Sequence, residues 1–180
     1  MISVKEKENK VYEALKERFH YTNKMQAPKL VKVSVSVGTG TMMKKDRNKN
    51  DFVVDRVSKI TGQKASTKQA KQSVASFKIR QGDPVGVAVT LRGAKMYNFM
   101  DKLLNVALPR TKDFRGIDRK IVDNIGNLTL PIKEHSIFPE CADEELKDVF
   151  GLSVTMVTTA KTKEEATAYF EFIGFPFKKA

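Results

Sequence analysis

Two segments of this chain alternate strictly between two sets of side chains, and this alternation constrains the fold more than any other feature. In residues 29–37 (KLVKVSVSV) one face carries Val31, Val33, Val35 and Val37. The opposite face carries Leu30, Lys32, Ser34 and Ser36. A period of two is the side-chain period of a β-strand. The segment therefore predicts a strand that is buried on one side only.

A second alternating segment follows at residues 85–92. Its apolar positions are Val85, Val87, Val89 and Leu91, and its other positions are Gly86, Ala88, Thr90 and Arg92. Residues 74–80 also alternate, with Phe77 and Ile79 inward and Ser76, Lys78 and Arg80 outward. The intervening Gln81-Gly82-Asp83-Pro84 is typical of a turn. We therefore expect residues 74–80 and 85–92 to pair as a β-hairpin.

Helical periodicity marks the remaining elements. Helices are predicted at residues 4–19, from Asp51 to Gly62, at 93–108 before Pro109, and from the Thr162/Glu165 capping box to Gly174. Weaker strands are expected at 127–132 and 152–159. Together these elements predict an α+β fold in one domain (residues 1–180), with helices packed on one face of an antiparallel (mixed) sheet and the other face left open.

The charge of the chain points to a polyanion as partner. With 33 Lys and Arg against 21 Asp and Glu, the formal net charge is +12. Residues 29–83 carry +9 and residues 84–133 carry +5, whereas residues 134–180 carry −4. Such a basic field attracts nucleic acid or an acidic membrane surface. We expect the polyanion to contact residues 29–133.

The predicted open face suits an RNA backbone. Its outward positions are small, polar or cationic, and none is Asp or Glu. Small residues allow close approach, hydroxyls bond to phosphate or 2′-OH groups, and cations release counterions. Because no aromatic residue is expected there, the pattern favours recognition of backbone and shape over base stacking. The alternative is a polar face that is simply solvated.

Two basic runs extend this face. The first contains Gln63, Lys64, Lys68 and Lys71. The second, ALPRTKDFRG, places Arg110, Lys112, Asp113 and Arg115 around Phe114. Each run is also compatible with a solvated charged loop, although an aromatic ring among charges indicates a partner contact at the second.

Catalytic, metal and membrane functions are disfavoured. GTGTMMKK lacks the Gly-Lys-Ser/Thr ending of a phosphate-binding loop. His20, His135 and Cys141 match no zinc spacing, and no cofactor is expected. No apolar run approaches the ~20 residues of a spanning helix, and the N-terminus lacks a signal-peptide pattern. One cysteine fits a reducing compartment, so we expect a cytoplasmic protein.

The order of several motifs resembles one family. Residues 60–116, which contain ITGQK, TLRG, ALPR and DFRG, closely resemble the central signature of the large-subunit ribosomal protein L5 family. GNLTLPIKEHSIFPE, VTTAKTKEEA and GFPF match the same family in order. The resemblance covers residues 25–177, and departures from the family pattern occur at Ser36 and in residues 41–50 and 122–128.

The resemblance implies a ribosomal role without catalysis. The family's partners are 5S rRNA, 23S rRNA, the elbow of P-site tRNA and small-subunit protein S13. The rRNA contacts would then fall on Lys32, Ser34, Ser36, Gln63, Lys64, Lys68, Lys71, Thr90 and Arg92. Contacts to tRNA would fall on Lys78, Arg80 and Gln81, and the intersubunit bridge on Arg110, Lys112, Asp113, Phe114 and Arg115. A free RNA-binding regulator or RNA chaperone on the same fold is the alternative.

Overall fold

A computed structural model describes residues 3–43, 49–112, 114–141 and 149–178. Its five-stranded antiparallel sheet has the strand order β2-β3-β1-β5-β4. The strands are β1 (Leu30–Gly38), β2 (Ser66–Gln69), β3 (Pro84–Leu91), β4 (Leu128–Ile132) and β5 (Leu152–Thr158). The helices are α1 (Val4–Phe19), α2 (Gly40–Met43), α3 (Lys49–Thr61), α4 (Gly93–Lys102) and α5 (Lys163–Ile173). The α+β prediction is confirmed.

The predicted hairpin partner of β3 is wrong. β2, at Ser66–Gln69, pairs antiparallel with β3. Residues 74–80 contain instead a single bridge between Val74 and Ile79 around a short 3₁₀ turn, Ala75–Phe77. The four polar residues of β2 (STKQ) lack the apolar alternation that marks a half-buried strand, so only the pairing in the fold identifies this strand.

The alternation in β1 slips by one residue at its start. Val33, Val35 and Val37 are buried as predicted. Leu30 is buried, however, and Val31 is 44% exposed, so both expectations for these two residues are wrong. Two successive outward side chains, Val31 and Lys32, separate the two registers.

Two helices differ in their boundaries from the prediction. α3 begins at Lys49, so Asp51 lies in the first turn of the helix instead of capping it. The predicted helix at 93–108 is α-helical to Lys102 and continues as a π-helix over Leu103–Ala107. At α5 the hydroxyl of Thr162 accepts a hydrogen bond from the backbone N–H of Glu165, as the capping motif predicts.

The chain divides into two compact units. The first comprises residues 1–33, 92–130 and 155–180, and its helices α4 and α5 both pack against α1. The backbone N–H of Val4 donates to the Asp101 carboxylate, and the Lys7 ammonium donates to the carbonyl of Ile173. These bonds fix the first two turns of α1 to its neighbouring helices.

The second unit comprises residues 34–91 and 131–154. Here α3 packs against β2 and β3 with Val53, Val57 and Ile60 buried. Asn50 accepts a hydrogen bond from the hydroxyl of Thr39 and donates one to the hydroxyl of Thr67. Because Asn50 is buried, these bonds satisfy its amide and hold the start of α3 beside β2.

Candidate RNA interface

The part of the sheet in the second unit has one face away from α3. In the β2–β3 pair, Ser66 lies opposite Ala88 and Lys68 lies opposite Gly86. Directly opposite residues point to the same side of a sheet. Thr67 points to the other side, where Asn50 bonds to it. We call this surface the open face and define it by the outward positions Ser34, Ser36, Ser66, Lys68, Gly86, Ala88, Thr90 and Ser153.

The side chains of the open face are mostly short, so they project little from the surface of the sheet. A Cβ atom added at Gly86 would lie 3.1 Å from the carbonyl oxygen of Val37. The hydroxyl of Ser66 donates to the carbonyl of Ala88 at 3.0 Å. The hydroxyls of Ser36 and Ser153 share a hydrogen bond of 2.9 Å. Short side chains and oriented hydroxyls leave the backbone of these strands accessible to a broad, flat ligand.

The structure brings Gln63 and Thr90 together. Gln63 follows the end of α3, and its side-chain amide donates to the carbonyl of Thr90 at 3.2 Å. This bond joins the half-buried side chain of Gln63 to the backbone of Thr90, whose own side chain is exposed. Two predicted rRNA contacts that are 27 residues apart in the chain therefore form one polar group.

Lysines line the same edge of the second unit. Lys64, Lys68 and Lys71 are all exposed, and Lys68 belongs to the open face itself. None of the eight open-face positions is Asp or Glu. Cations beside hydroxyls, on a face whose own positions carry no carboxylate, match the chemistry of a phosphodiester backbone.

The sequence predicted a strand at residues 152–159, but it did not assign Ser153 of this strand to the open face. In β5, Ser153 and Thr155 are half-buried and alternate with the buried Leu152, Val154 and Met156. The alternation of LSVTMVT was a visible signal for it. Ser153 belongs to the open face. Residues 134–180 therefore contribute to this face even though their net charge is negative.

The first unit also carries hydroxyl-bearing residues on its strands and cations on or next to them. Thr155 and Thr129 share a hydroxyl–hydroxyl hydrogen bond of 3.1 Å. Lys32 is half-buried on β1. Arg92 is exposed and precedes the first turn of α4 without a side-chain capping bond. Arg92 is therefore an accessible cation and Lys32 a partly accessible one, and their contact with rRNA stays a prediction.

The residues predicted to contact tRNA do not lie on a sheet. Ser76, Lys78 and Arg80 were expected as outward positions of a strand, and this expectation is wrong. They belong to an excursion between β2 and β3, residues 70–83, which we call the tongue. Lys78, Arg80 and Gln81 are exposed along it. Phe77, which was expected to face inward, is exposed as well.

The predicted bridge residues lie in the loop after the π-helix. Arg110, Lys112 and Arg115 are exposed and Phe114 is half-buried, while Asp113 lies outside the described residues. The loop ends at Ile117, whose N–H donates to the carbonyl of Pro176 and whose carbonyl accepts from the N–H of Lys178. The C-terminal segment therefore anchors one end of this basic loop.

We searched the described residues for metal-binding clusters and for membrane-spanning helices. Across these residues there is no group of three or more His, Cys, Asp or Glu side chains that could hold a metal ion. None of the helices described is long and apolar enough to cross a membrane. Buried His135 stacks on Phe150 at 4.1 Å, and its Nδ1 accepts from the Phe150 N–H, which is a packing role.

Comparison of the sequence with known proteins identifies a family. Residues 23–80 match the family described as ribosomal protein L5, and residues 84–177 match the C-terminus of the same ribosomal family. A large ribosomal subunit protein uL5 from a Thermoanaerobacter species is 48% identical over 172 residues, 96% of each chain. The uL5 of Flavobacterium johnsoniae is 47% identical, covering 97% of this chain and 94% of its own.

A more distant relative extends the same result. The uL5 of Thermotoga maritima is 42% identical over 176 residues, which cover 96% of this chain and 93% of its own. Both halves of the family signature and nearly the full length of each relative are thus matched by one chain. The protein belongs to the ribosomal protein L5 family of the large ribosomal subunit.

Proposed function

We propose that this chain binds 5S rRNA through its open face and helps to attach it to 23S rRNA in the central protuberance of the large subunit. The observation that supports this most directly is a sheet face whose eight positions are short hydroxyl-bearing, small or cationic, without a carboxylate among them. Membership of a family of ribosomal structural proteins confirms the expectation that the chain is not an enzyme. The ribosome, and hence the cytoplasm, is its location.

The chemistry of the open face favours a ribose–phosphate backbone as its ligand. Gly86, Ala88 and the serines permit close approach, and Thr90 with Gln63 offers both donors and acceptors. The 2′-OH of RNA, which both donates and accepts, fits such groups. Because the eight open-face positions include no aromatic residue, this face reads backbone and shape. Residues 1–180 then act as a single RNA-binding domain.

Two further contacts complete the proposal. The tongue, with Lys78, Arg80 and Gln81, contacts the elbow of P-site tRNA. The basic loop with Arg110, Lys112 and Arg115 takes part in an intersubunit bridge with small-subunit protein S13, together with Phe114 and Asp113. Both segments carry exposed cations on loops, which suits contacts that form and break more readily than those of a sheet.

A charged side chain in the centre of the open face tests the rRNA contact. Ala88→Glu places a carboxylate beside Gly86 and Ser66, where phosphates would approach. We expect its affinity for purified 5S rRNA to fall at least about tenfold in a filter-binding titration at fixed salt. Ala14→Glu, on an exposed position of α1, is the control and should bind as the native protein does. Equal affinities of the two variants would show that the open face does not bind 5S rRNA.

Co-sedimentation separates a ribosomal protein from a free regulator. The native protein should sediment with large subunits, whereas a free RNA-binding regulator or chaperone should stay in the soluble fraction at low salt. Recovery only in the soluble fraction would contradict the ribosomal role of this chain.

A further inference from the structure

Phe77 is the one aromatic residue of the tongue, all of whose residues the structure describes. It is 61% exposed, and Val74, three residues earlier at the start of the same 3₁₀ turn, is 39% exposed. Every residue from 71 to 78 is exposed. Leaving a phenyl ring in water forfeits the free energy that its burial would contribute. Single exposed apolar side chains are common on protein surfaces, so the turn that holds Phe77 and the charges around it decide whether a ligand covers the ring.

The tongue holds this ring in place before any ligand arrives. At its base the Ala70 N–H donates to the carbonyl of Asp83 at 2.8 Å, and the Gly82 N–H donates to the carbonyl of Ala70 at 3.0 Å. Near its tip Val74 and Ile79 exchange two backbone hydrogen bonds of 2.9 and 3.2 Å. Backbone hydrogen bonds therefore close the excursion at both levels, which lowers the entropy lost on binding.

Lys78 contributes to the outward direction of Phe77. Its backbone is left-handed, with φ 53°, and its N–H donates to the carbonyl of Ala75. Residues other than glycine are disfavoured in this conformation. The turn that ends Ala75–Phe77 thus reverses the chain directly after the ring, so that Phe77 stays at the tip while Ile79 turns back to pair with Val74.

The surroundings of Phe77 are cationic. The tongue carries Lys71, Lys78 and Arg80 against a single acid, Asp83. The carboxylate of Asp83 accepts a hydrogen bond from the backbone N–H of Arg80 at 2.8 Å, which stabilises the turn. An aromatic ring among cations is the arrangement with which proteins stack an unpaired base and hold the adjoining phosphates.

We propose that Phe77 is a stacking platform for an unpaired base of an RNA loop, with Lys78 and Arg80 on the flanking phosphates. This inference rests on the proposed function, in which the tongue contacts tRNA, and it adds a mode of recognition that the open face lacks. The open face recognises the backbone and shape of RNA, whereas the tongue requires an unpaired base that can stack on Phe77.

The experiment compares two RNA probes and three variants of the full chain. The probes are a folded tRNA, which has unpaired loop bases, and a fully paired RNA duplex, which has none. Phe77→Leu should lower the affinity for tRNA about tenfold, within the range expected when one base no longer stacks on an aromatic ring. It should leave duplex affinity unchanged. Phe77→Trp should bind tRNA at least as well as the native protein, and Lys78→Ala/Arg80→Ala should bind both probes less well.

Several outcomes would overturn the inference in distinguishable ways. Native tRNA affinity for Phe77→Leu, together with weaker binding by Lys78→Ala/Arg80→Ala, would restrict the tongue to phosphate contacts. An equal decrease on both probes would exclude base stacking. Native affinity of all three variants for tRNA would show that the tongue does not bind tRNA, which would overturn both this inference and the proposed tRNA contact. Binding of 5S rRNA, measured on the same samples, reports separately on the open face.

Discussion

At the scale of single residues, Gly126 shows how a turn can depend on the absence of one atom. Gly126 has φ 89° and is pressed against the segment that follows β5. A Cβ atom added there would lie 2.9 Å from the carbonyl oxygen of Ala160. The carbonyl of Gly126 also accepts a hydrogen bond from the buried hydroxyl of Thr158 at 2.7 Å. The close approach and the backbone conformation both require glycine.

Gly82 provides a matched control for a substitution at Gly126. Its φ is 90°, and a Cβ atom added there would meet nothing within 4 Å. Gly82→Ala should therefore lose only the conformational contribution, about 1–2 kcal/mol. Gly126→Ala should lose that contribution and about 1–3 kcal/mol more for overpacking. Urea unfolding measures both variants, and equal destabilisation would show that the turn at Gly126 moves without cost.

At the scale of elements, α1 is held to its unit by one carboxylate as well as by its apolar stripe. Glu8 accepts hydrogen bonds from the hydroxyls of Tyr97 in α4 and Tyr169 in α5, at 3.0 and 3.1 Å. Burial, the charge of Glu8 and its hydrogen bond raise the pKa of Tyr97 to about 12. Burial, with the same contributions from Glu8, also raises the pKa of Tyr169 well above its usual value. One side chain thus joins three helices.

Removing this carboxylate should loosen the association of the three helices. Glu8→Ala leaves the buried hydroxyl of Tyr169 without its acceptor, which should lower the free energy of unfolding by about 1–3 kcal/mol. In the same variant the pKa of Tyr97 should fall below about 12 in a spectrophotometric titration of tyrosinate. Glu13→Ala, on the exposed side of α1, should change neither quantity measurably. Native stability of Glu8→Ala would show that the helices associate through apolar packing alone.

At the scale of the whole molecule, the position of the positive charge matters more than its amount. The net charge is +12, yet cations also occupy α1, where Lys10 and Lys16 are exposed and share the helix with four glutamates. Lys68 and Lys71 lie instead beside hydroxyls and small residues, on and next to the open face. Counterions are released only where phosphates approach the protein closely.

Two charge-reversed variants with the same net charge separate position from amount. Lys68→Glu/Lys71→Glu should bind 5S rRNA at least about tenfold more weakly than Lys10→Glu/Lys16→Glu at the same ionic strength. The plot of log affinity against log salt should also become less steep, by roughly 0.7–0.9 for each phosphate that the variant no longer neutralises. Identical titrations of the two variants would show that only the total charge of the chain attracts the RNA.

Local patterns predicted most of the elements. The burial of Val33, Val35 and Val37 in β1 and of Val87 and Val89 in β3 is confirmed, as is the periodicity of α1 and α5, because each of these segments buries one face and exposes the other. β2 was missed because its residues are all polar, and a strand exposed on both sides carries no alternation. Phe77 was misplaced for a related reason. An apolar residue in an alternating pattern is normally buried, and only the excursion of the tongue removes it from the sheet.

By itself, the sequence determined the fold class, the family, and the small, acid-free character of the strands that form the open face. These properties follow from local side-chain chemistry and from motifs that are continuous in the chain. The tertiary structure alone decided that Ser66 and Lys68 lie opposite Ala88 and Gly86, that Gln63 bonds to the carbonyl of Thr90, and that Phe77 stands exposed at a closed tip. Strand pairing joins residues distant in sequence, and its register is set by packing of the whole sheet, which no local pattern contains.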